Sequence, residues 1–336
     1  MAFTPLSDLG RHFANRQANL QIREKLETLT AEVASGEASD MSAHLGVQTG
    51  QFAAIKHRLS MIESYTKSAS LLATQLTAMQ SALENIDTQR GNISAQLISV
   101  SSQATQVELS AATEAARNGF AQVVASLNTQ SAGVSLFAGA STDGPAVSDG
   151  DDILAALEGY VAGAVTVADA KQRIADWFDA SFPAAGAGGV GYHGAPGENM
   201  TRQIDADLTV TISVRADDPV LVGLMRDLAT AAISDKLGFS NTAQAQLVHA
   251  AGEGLITQAS GLSAARARLG LAEQTVAQTQ AKLAVEKTSL ATTRNDMAQI
   301  DTFEASTALQ AVSDQLELHY TLTARLASLS LTNYLR

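Results

Sequence analysis

The stretch 255–297, LITQASGLSAARARLGLAEQTVAQTQAKLAVEKTSLATTRNDM, places Leu255, Leu262, Leu269, Val276, Leu283, Leu290 and Met297 seven residues apart without a slip. No proline interrupts it, and the intervening residues are mostly Ala, Gln, Thr, Ser, Lys and Glu. A seven-residue apolar repeat keeps one stripe of an α-helix against the same neighbour. One stripe is not buried alone, so a second helix must lie against it.

The N-terminal half supplies that partner. Phe52, Ile55, Leu59 and Ile62 fall at helical steps, followed by Leu72, Leu76, Met79, Leu83, Ile86, Ile93, Leu97, Val100 and Val107. Phe120, Val123, Val124 and Leu127 extend the pattern to about residue 132. Read as one continuous helix, it would be on the order of 100 Å long. Between the two stripes the chain must reverse, so they are expected to run antiparallel.

Outside these helices the punctuation is clear. Thr4 and Pro5 make a hydroxyl cap followed by proline at the first helical position, opening a stripe of Leu6, Leu9, Phe13, Leu20, Leu26, Leu29 and Val33. SGEASD (35–40) reads as a break. From residue 133 the chain turns rich in Gly, Pro, Asp and Ser, and LTVTISV (208–214) alternates as a strand should. Short helices are expected over 151–163 and 169–181, and ADDP (216–219) caps a helix through Leu221, Leu224, Met225 and Leu228. Asp301 and Glu304 have capping-box spacing ahead of a last helix with Leu309, Val312, Leu316, Leu322, Leu326 and Leu329.

The expected fold is therefore mainly α: a long antiparallel helical rod, coiled-coil-like, joining the two halves, with a small mixed α/β domain inserted in the middle. The corresponding segments are 1–40 and 301–336 as terminal helices, 41–140 and 219–300 as rod helices, and 141–218 as the insert.

Composition narrows the chemistry. The 336 residues include 4% aromatics, and the net charge of −12 repels phosphate backbones, which argues against nucleic-acid binding. No run of about 18 apolar residues exists to span a membrane. There are no cysteines, which excludes thiolate metal sites, disulfides and Cys nucleophiles. The first residues lack a basic start followed by an apolar core, so no ordinary signal peptide is expected. By default these features point to the cytoplasm.

No catalytic, cofactor or metal site is expected. GAGGVG (186–191) matches G-x-G-x-x-G as a string but lacks the preceding strand and following helix that the dinucleotide fingerprint needs, so it reads as a mobile surface loop. Asp149, Asp151 and Asp152 lack the twelve-residue calcium-loop pattern, and Asp151 or Asp152 reads better as a helix cap. His12, His44, His57, His193, His249 and His319 are scattered without metal-ligand spacing, and His193 with Glu198 has no positioned nucleophile.

Four stretches carry a resemblance. LETLTAEVASGEASDMSAHLG (26–46) resembles the helix–SG–loop of flagellins and their junction relatives. SLFAGASTDGPAV (135–147) is similar to an F-x-G-x-x-T-x-x-P element that opens a variable domain. Tyr192-His193-Gly194, with Arg202, Ile204 and the 208–214 strand, is similar to a Y-x-G…R-x-I…V segment. DTFEASTALQAVSDQLELHYTLTARLASLSLTNYLR (301–336) is similar to the family's D-x-x-E-A…LE-x-x-Y…LSL-x-x-YL ending. In this order they resemble the hook–filament junction (hook-associated) branch of the bacterial flagellin family, over essentially the whole chain. The SG loop lacks the basic residue and double aspartate common in filament flagellins.

The resemblance implies a non-enzymatic structural subunit of the bacterial flagellum. It would self-assemble into a ring between hook and filament, between a neighbouring junction protein and flagellin. It also implies export through the flagellar channel without a cleaved signal, and an export chaperone on the C-terminal helix. That overturns the cytoplasmic default. Two alternatives stay open: a filament flagellin, and a cytoplasmic coiled-coil scaffold.

Overall fold

A computed structural model describes residues 6–185 and 189–334 of the chain; side chains are described from Phe13 to Arg325. Two compact units form: residues up to Met61 with those from Ala284 onward, and Ile62–Leu283. The short α2 (Met41–Leu45) lies in the first, and helices α3 (Thr49–Ile98) and α8 (Asn241–Ala298) contribute to both.

In the larger unit, the seven-residue ladder is buried from Leu255 through Leu283, and so is the opposing stripe from Leu72 to Leu97. Gln80 Nε2 donates to the Arg266 carbonyl at 2.9 Å and an Arg90 Nη to that of Leu255 at 3.3 Å. As the α3 number rises the α8 number falls, so the two helices are antiparallel. The expected pairing is present.

The expected continuity is not. The α3 helix stops at Ile98, and α4 (Gln106–Leu127) folds back instead of extending it. Thr105 and Glu108 form a full capping box that starts the new helix. Val107, expected on the buried stripe, is 79% exposed. Gly119 of α4 lies against Ile93 of α3 and Leu228 of α7 (Pro219–Ala232). Nearer the start of α4, an Arg117 Nη donates to the Ala232 carbonyl at 2.8 Å, and the Thr113 and Ser234 hydroxyls are 3.1 Å apart. Across to α8, Gly223 and Asp227 of α7 meet Gln258 and Gly254, and Val220 meets Gly261.

The pairs α3–α4, α4–α7, α7–α8 and α8–α3 are all antiparallel, which makes an up-down-up-down four-helix bundle. Glycines 119, 223, 252, 254 and 261 let these helices approach. A Cβ at Gly252 would stand 2.9 Å from Ile98 Cγ1 and 3.1 Å from its backbone nitrogen.

The insert belongs to the same unit. A hairpin of β1 (Gln130–Ser131) and β2 (Val134–Ser135) turns through Ala132 and Gly133, both at positive φ. Next come α5 (Gly150–Val161), α6 (Val167–Asp176) with a π-turn over Trp177–Ser181, and the antiparallel hairpin β3 (Met200–Asp205)–β4 (Leu208–Ile212). Trp177, Phe178 and Phe182 cluster beneath α6, with the first pair edge-to-face at 4.9 Å. The β3–β4 tip is tied to the long helices: Ser68 Oγ donates to the Gln203 carbonyl at 2.8 Å, and Lys282 Nζ sits 2.6 Å from buried Asp205.

In the smaller unit, α1 (Leu6–Ser35) and α9 (Thr302–Tyr334) pack antiparallel. The break after α1 meets the break before α9. There Ala38 N donates to the Ala298 carbonyl, Ile300 N donates to that of Gly36, and Glu37 bridges Gln299. Gly36 has φ +73°, which glycine alone adopts without strain. Asp301 caps α9 by accepting from Phe303 N and Glu304 N. Arg58 of α3 forms a bidentate pair with Glu286 of α8, at 2.6 and 2.9 Å. Thr4 and Pro5 lie outside the described residues.

Candidate assembly interface

The α1–α9 pair covers one face of each helix only. On α9, Ala305 and Val312 are buried and Leu309 and Leu316 half-buried, at the helical spacing that faces α1. On α1, Ile22, Leu26, Leu29 and Val33 answer them, each half-buried. The remaining apolar residues face solvent: Phe13 is 71% exposed and Leu20 63%, and on α9 Phe303 is 81% and Leu318 64%. Asp314, Glu317, Leu318, Thr321, Leu322 and Arg325 line a hollow of about 430 Å³ along α9, with a charged rim around two leucines. Tyr320 sits beside it, and its hydroxyl accepts from Arg23 Nη at 2.5 Å and Nε at 3.1 Å. That bond to a cation holds the phenol below its usual pKa. An apolar surface of this kind with polar edges is what a helix-packing interface exposes before it is covered. Leu6, Leu9, Leu326 and Leu329 have side chains outside those described.

Several candidate chemical residues make structural contacts, and the side chain of His12 lies outside those described. Asp149, not Asp151 or Asp152, caps α5, its carboxylate accepting from Asp151 N at 3.0 Å. The first residue of such a run is free to hold the extended cap conformation, whereas Asp151 and Asp152 are already inside the helix. Of GAGGVG, residues 186–188 lie outside the described residues. Its remainder is held down instead of loose: Gly191 N donates to Ser148 Oγ at 3.0 Å, and Ser148 N donates back to the Gly191 carbonyl at 2.9 Å. Ser148 Oγ lies 2.8 Å from His193 Nε2, a contact the sequence did not signal. His249 stands 3.7 Å from Glu253, and His44, His57 and His319 are on separate helices. Among the described residues no group of three metal-ligating side chains forms.

The motif stretches themselves meet in the insert. Ala140 N donates to the Glu198 carbonyl, Ala195 N to Ala138 and His193 N to Ala146, so the 135–147 and 192–198 segments clasp each other. A Cβ at Gly139, whose φ is +66°, would stand 2.3 Å from the Glu198 carbonyl oxygen. Tyr192 is buried in the clasp, and burial pushes its hydroxyl up to about 12. Arg215 closes the clasp on Asp217, with both carboxylate oxygens engaged, and on Asn199 Oδ1.

The overall fold is that of flagellar hook-associated proteins. A protein of Vibrio parahaemolyticus assigned as a flagellar hook-associated protein superposes with a TM-score of 0.54 at 13% identity, over 75% of this chain and 97% of that one. FlgL of Bacillus cereus superposes with a TM-score of 0.51 at 14% identity, over 72% of this chain and 99% of its own. Residues 254–335 match the family described as bacterial flagellin C-terminal helical region. No curated protein sequence matches the chain.

Proposed function

We propose that the protein is a non-enzymatic structural subunit of the bacterial flagellum that forms the junction ring between hook and filament. The observation that carries this is the flagellin-type region 254–335, which runs from the buried ladder of α8 into α9, where Phe303, Leu318 and Leu322 are exposed among the described residues. Neighbouring copies would cover them. A junction protein on the hook side and flagellin on the filament side complete the stack, and a chaperone covers the C-terminal helix before export without a cleaved signal. No described helix is long and apolar enough to cross a membrane.

A deletion strain provides the test. Hooks without filaments, with flagellin shed into the medium, are expected. Normal filaments on the deletion strain would overturn the reading. Copy number separates a junction subunit from a filament flagellin, since a ring holds few copies and a filament very many.

A further inference from the structure

The layer formed by α5 and α6 on the four-helix bundle has edges of opposite charge. At one edge α6 meets α7 and α8 around a cleft of about 490 Å³, lined by Lys171, Gln172, Arg226, Asp227, Thr230 and Gly254. Lys171 is exposed and has no salt-bridge partner among the described residues. Arg226 lies 3.6 Å from Asp227, whose carboxylate also feels Lys171, so the cleft sets two cations against one acid. At the other edge α5 packs on α4, with Gly150 against Ala121 and Phe120. The α5 sequence GDDILAALEGYV holds three acids and no base, and Asp151 and Asp152 stand exposed in its first turn beside the capping Asp149. Tyr160, also exposed, lies on the same helix.

We propose that the cleft lined by Lys171 and Arg226 receives the acidic first turn of α5, Asp151 and Asp152, from a second copy of this chain. This rests on the protein being a self-assembling subunit. The two surfaces lie on opposite edges of one layer, so the contact is head-to-tail, the kind that closes into rings or propagates. A chain of net charge −12 repels its own copies. A local cation pair matched to a local acid pair sets the register at which that repulsion is overcome. The contact lies within the larger unit.

Because the chain has no cysteine, single-cysteine variants report the contact directly. Full-length Lys171→Cys and Asp152→Cys proteins are mixed over a concentration series, oxidised, and read on a non-reducing gel. The mixed crosslink should form about tenfold faster than either like-with-like crosslink, and Arg226→Glu should slow it by a similar factor. Adding Asp151→Lys to the partner should restore it, which a fold defect in Arg226→Glu would not allow. A mixed crosslink no faster than the like-with-like ones, or none at any concentration, overturns the proposal. A deletion strain with normal filaments would sink the flagellar reading without altering the crosslink, so the two fail separately.

Discussion

Gln80 Nε2 donates to the carbonyl oxygen of Arg266 at 2.9 Å, across the seam between α3 and α8. Ten residues further along α3, Arg90 reaches Leu255, eleven residues back along α8 (90 − 80 = 10; 266 − 255 = 11). The seam therefore holds a steady antiparallel register, and its leucines interlock along the whole run. A buried leucine with neighbours that do not collapse costs about 2–5 kcal/mol on truncation to Ala. Leu83→Ala and Leu283→Ala, both fully buried, should each lower the melting temperature clearly. Val285→Ala, at an exposed site, should change it little. Equal melting of all three would show the seam is not packed as described.

The glycines of the bundle separate two effects of opposite sign. In a helix interior, Gly→Ala gains about 1 kcal/mol from backbone entropy. At Gly91 nothing lies within reach of an added Cβ, so Gly91→Ala should stabilise by about that amount. At Gly252 the new methyl would stand 3.0 Å from Leu97 Cβ and 3.1 Å from the Ile98 nitrogen, and backbone gives way poorly. Overpacking of this kind costs about 1–3 kcal/mol. Chemical denaturation of the two variants should move in opposite directions.

The seven-residue ladder and its antiparallel partner were legible because one period, held without interruption, leaves a single solution. The break at 99–105 has a local signal that periodicity masks: Thr105 and Glu108 stand at capping-box spacing inside VSSQATQVE. Apolar residues continued in helical phase past it, and periodicity alone does not distinguish a long helix from two that fold back. The glycine string 186–191 lacks the strand and helix context of a dinucleotide loop, but nothing near it signals the pinning of Gly191. That depends on Ser148, 43 residues away, which no local pattern reports. The clasp of 135–147 on 192–198 was marked by motif resemblance alone, for the same reason.

Asp227 offers a pH test. Burial holds its carboxyl above the usual range, against the smaller opposing pulls of Arg226, Gln258 and Lys171. A raised folded-state pKa means the neutral form is the one favoured by folding. That contribution is fully present below the ordinary carboxylate pKa and is lost as pH rises through the raised value. Asp227→Asn removes the dependence, so its melting temperature should exceed that of the native chain by a few degrees at neutral pH, and the gap should close in acid. A gap that widens in acid would mean the ion pair with Arg226 outweighs burial.

The last prediction concerns α9. The bundle of residues 62–283 is a compact unit in its own right, and α9 belongs to the other unit. Among the described residues, α9 buries Ala305 and Val312 in the unit it shares with α1 and leaves Phe303, Leu318 and Leu322 exposed. A pair of helices covered on one face has little apolar burial to set against the entropy of ordering both. Amide exchange on the isolated full-length protein should therefore be fast over 10–35 and 302–325 and slow along 72–97 and 255–283, with the ends gaining protection on assembly. Deleting 317–336 should leave the melting of the larger unit unchanged, because residues 62–283 form a compact unit without that segment. In cells the same deletion should stop filament growth. Strong protection of both ends in the monomer would show that the α1–α9 pair is self-sufficient. Normal swimming by the truncated strain would show that these faces are not the assembly surface.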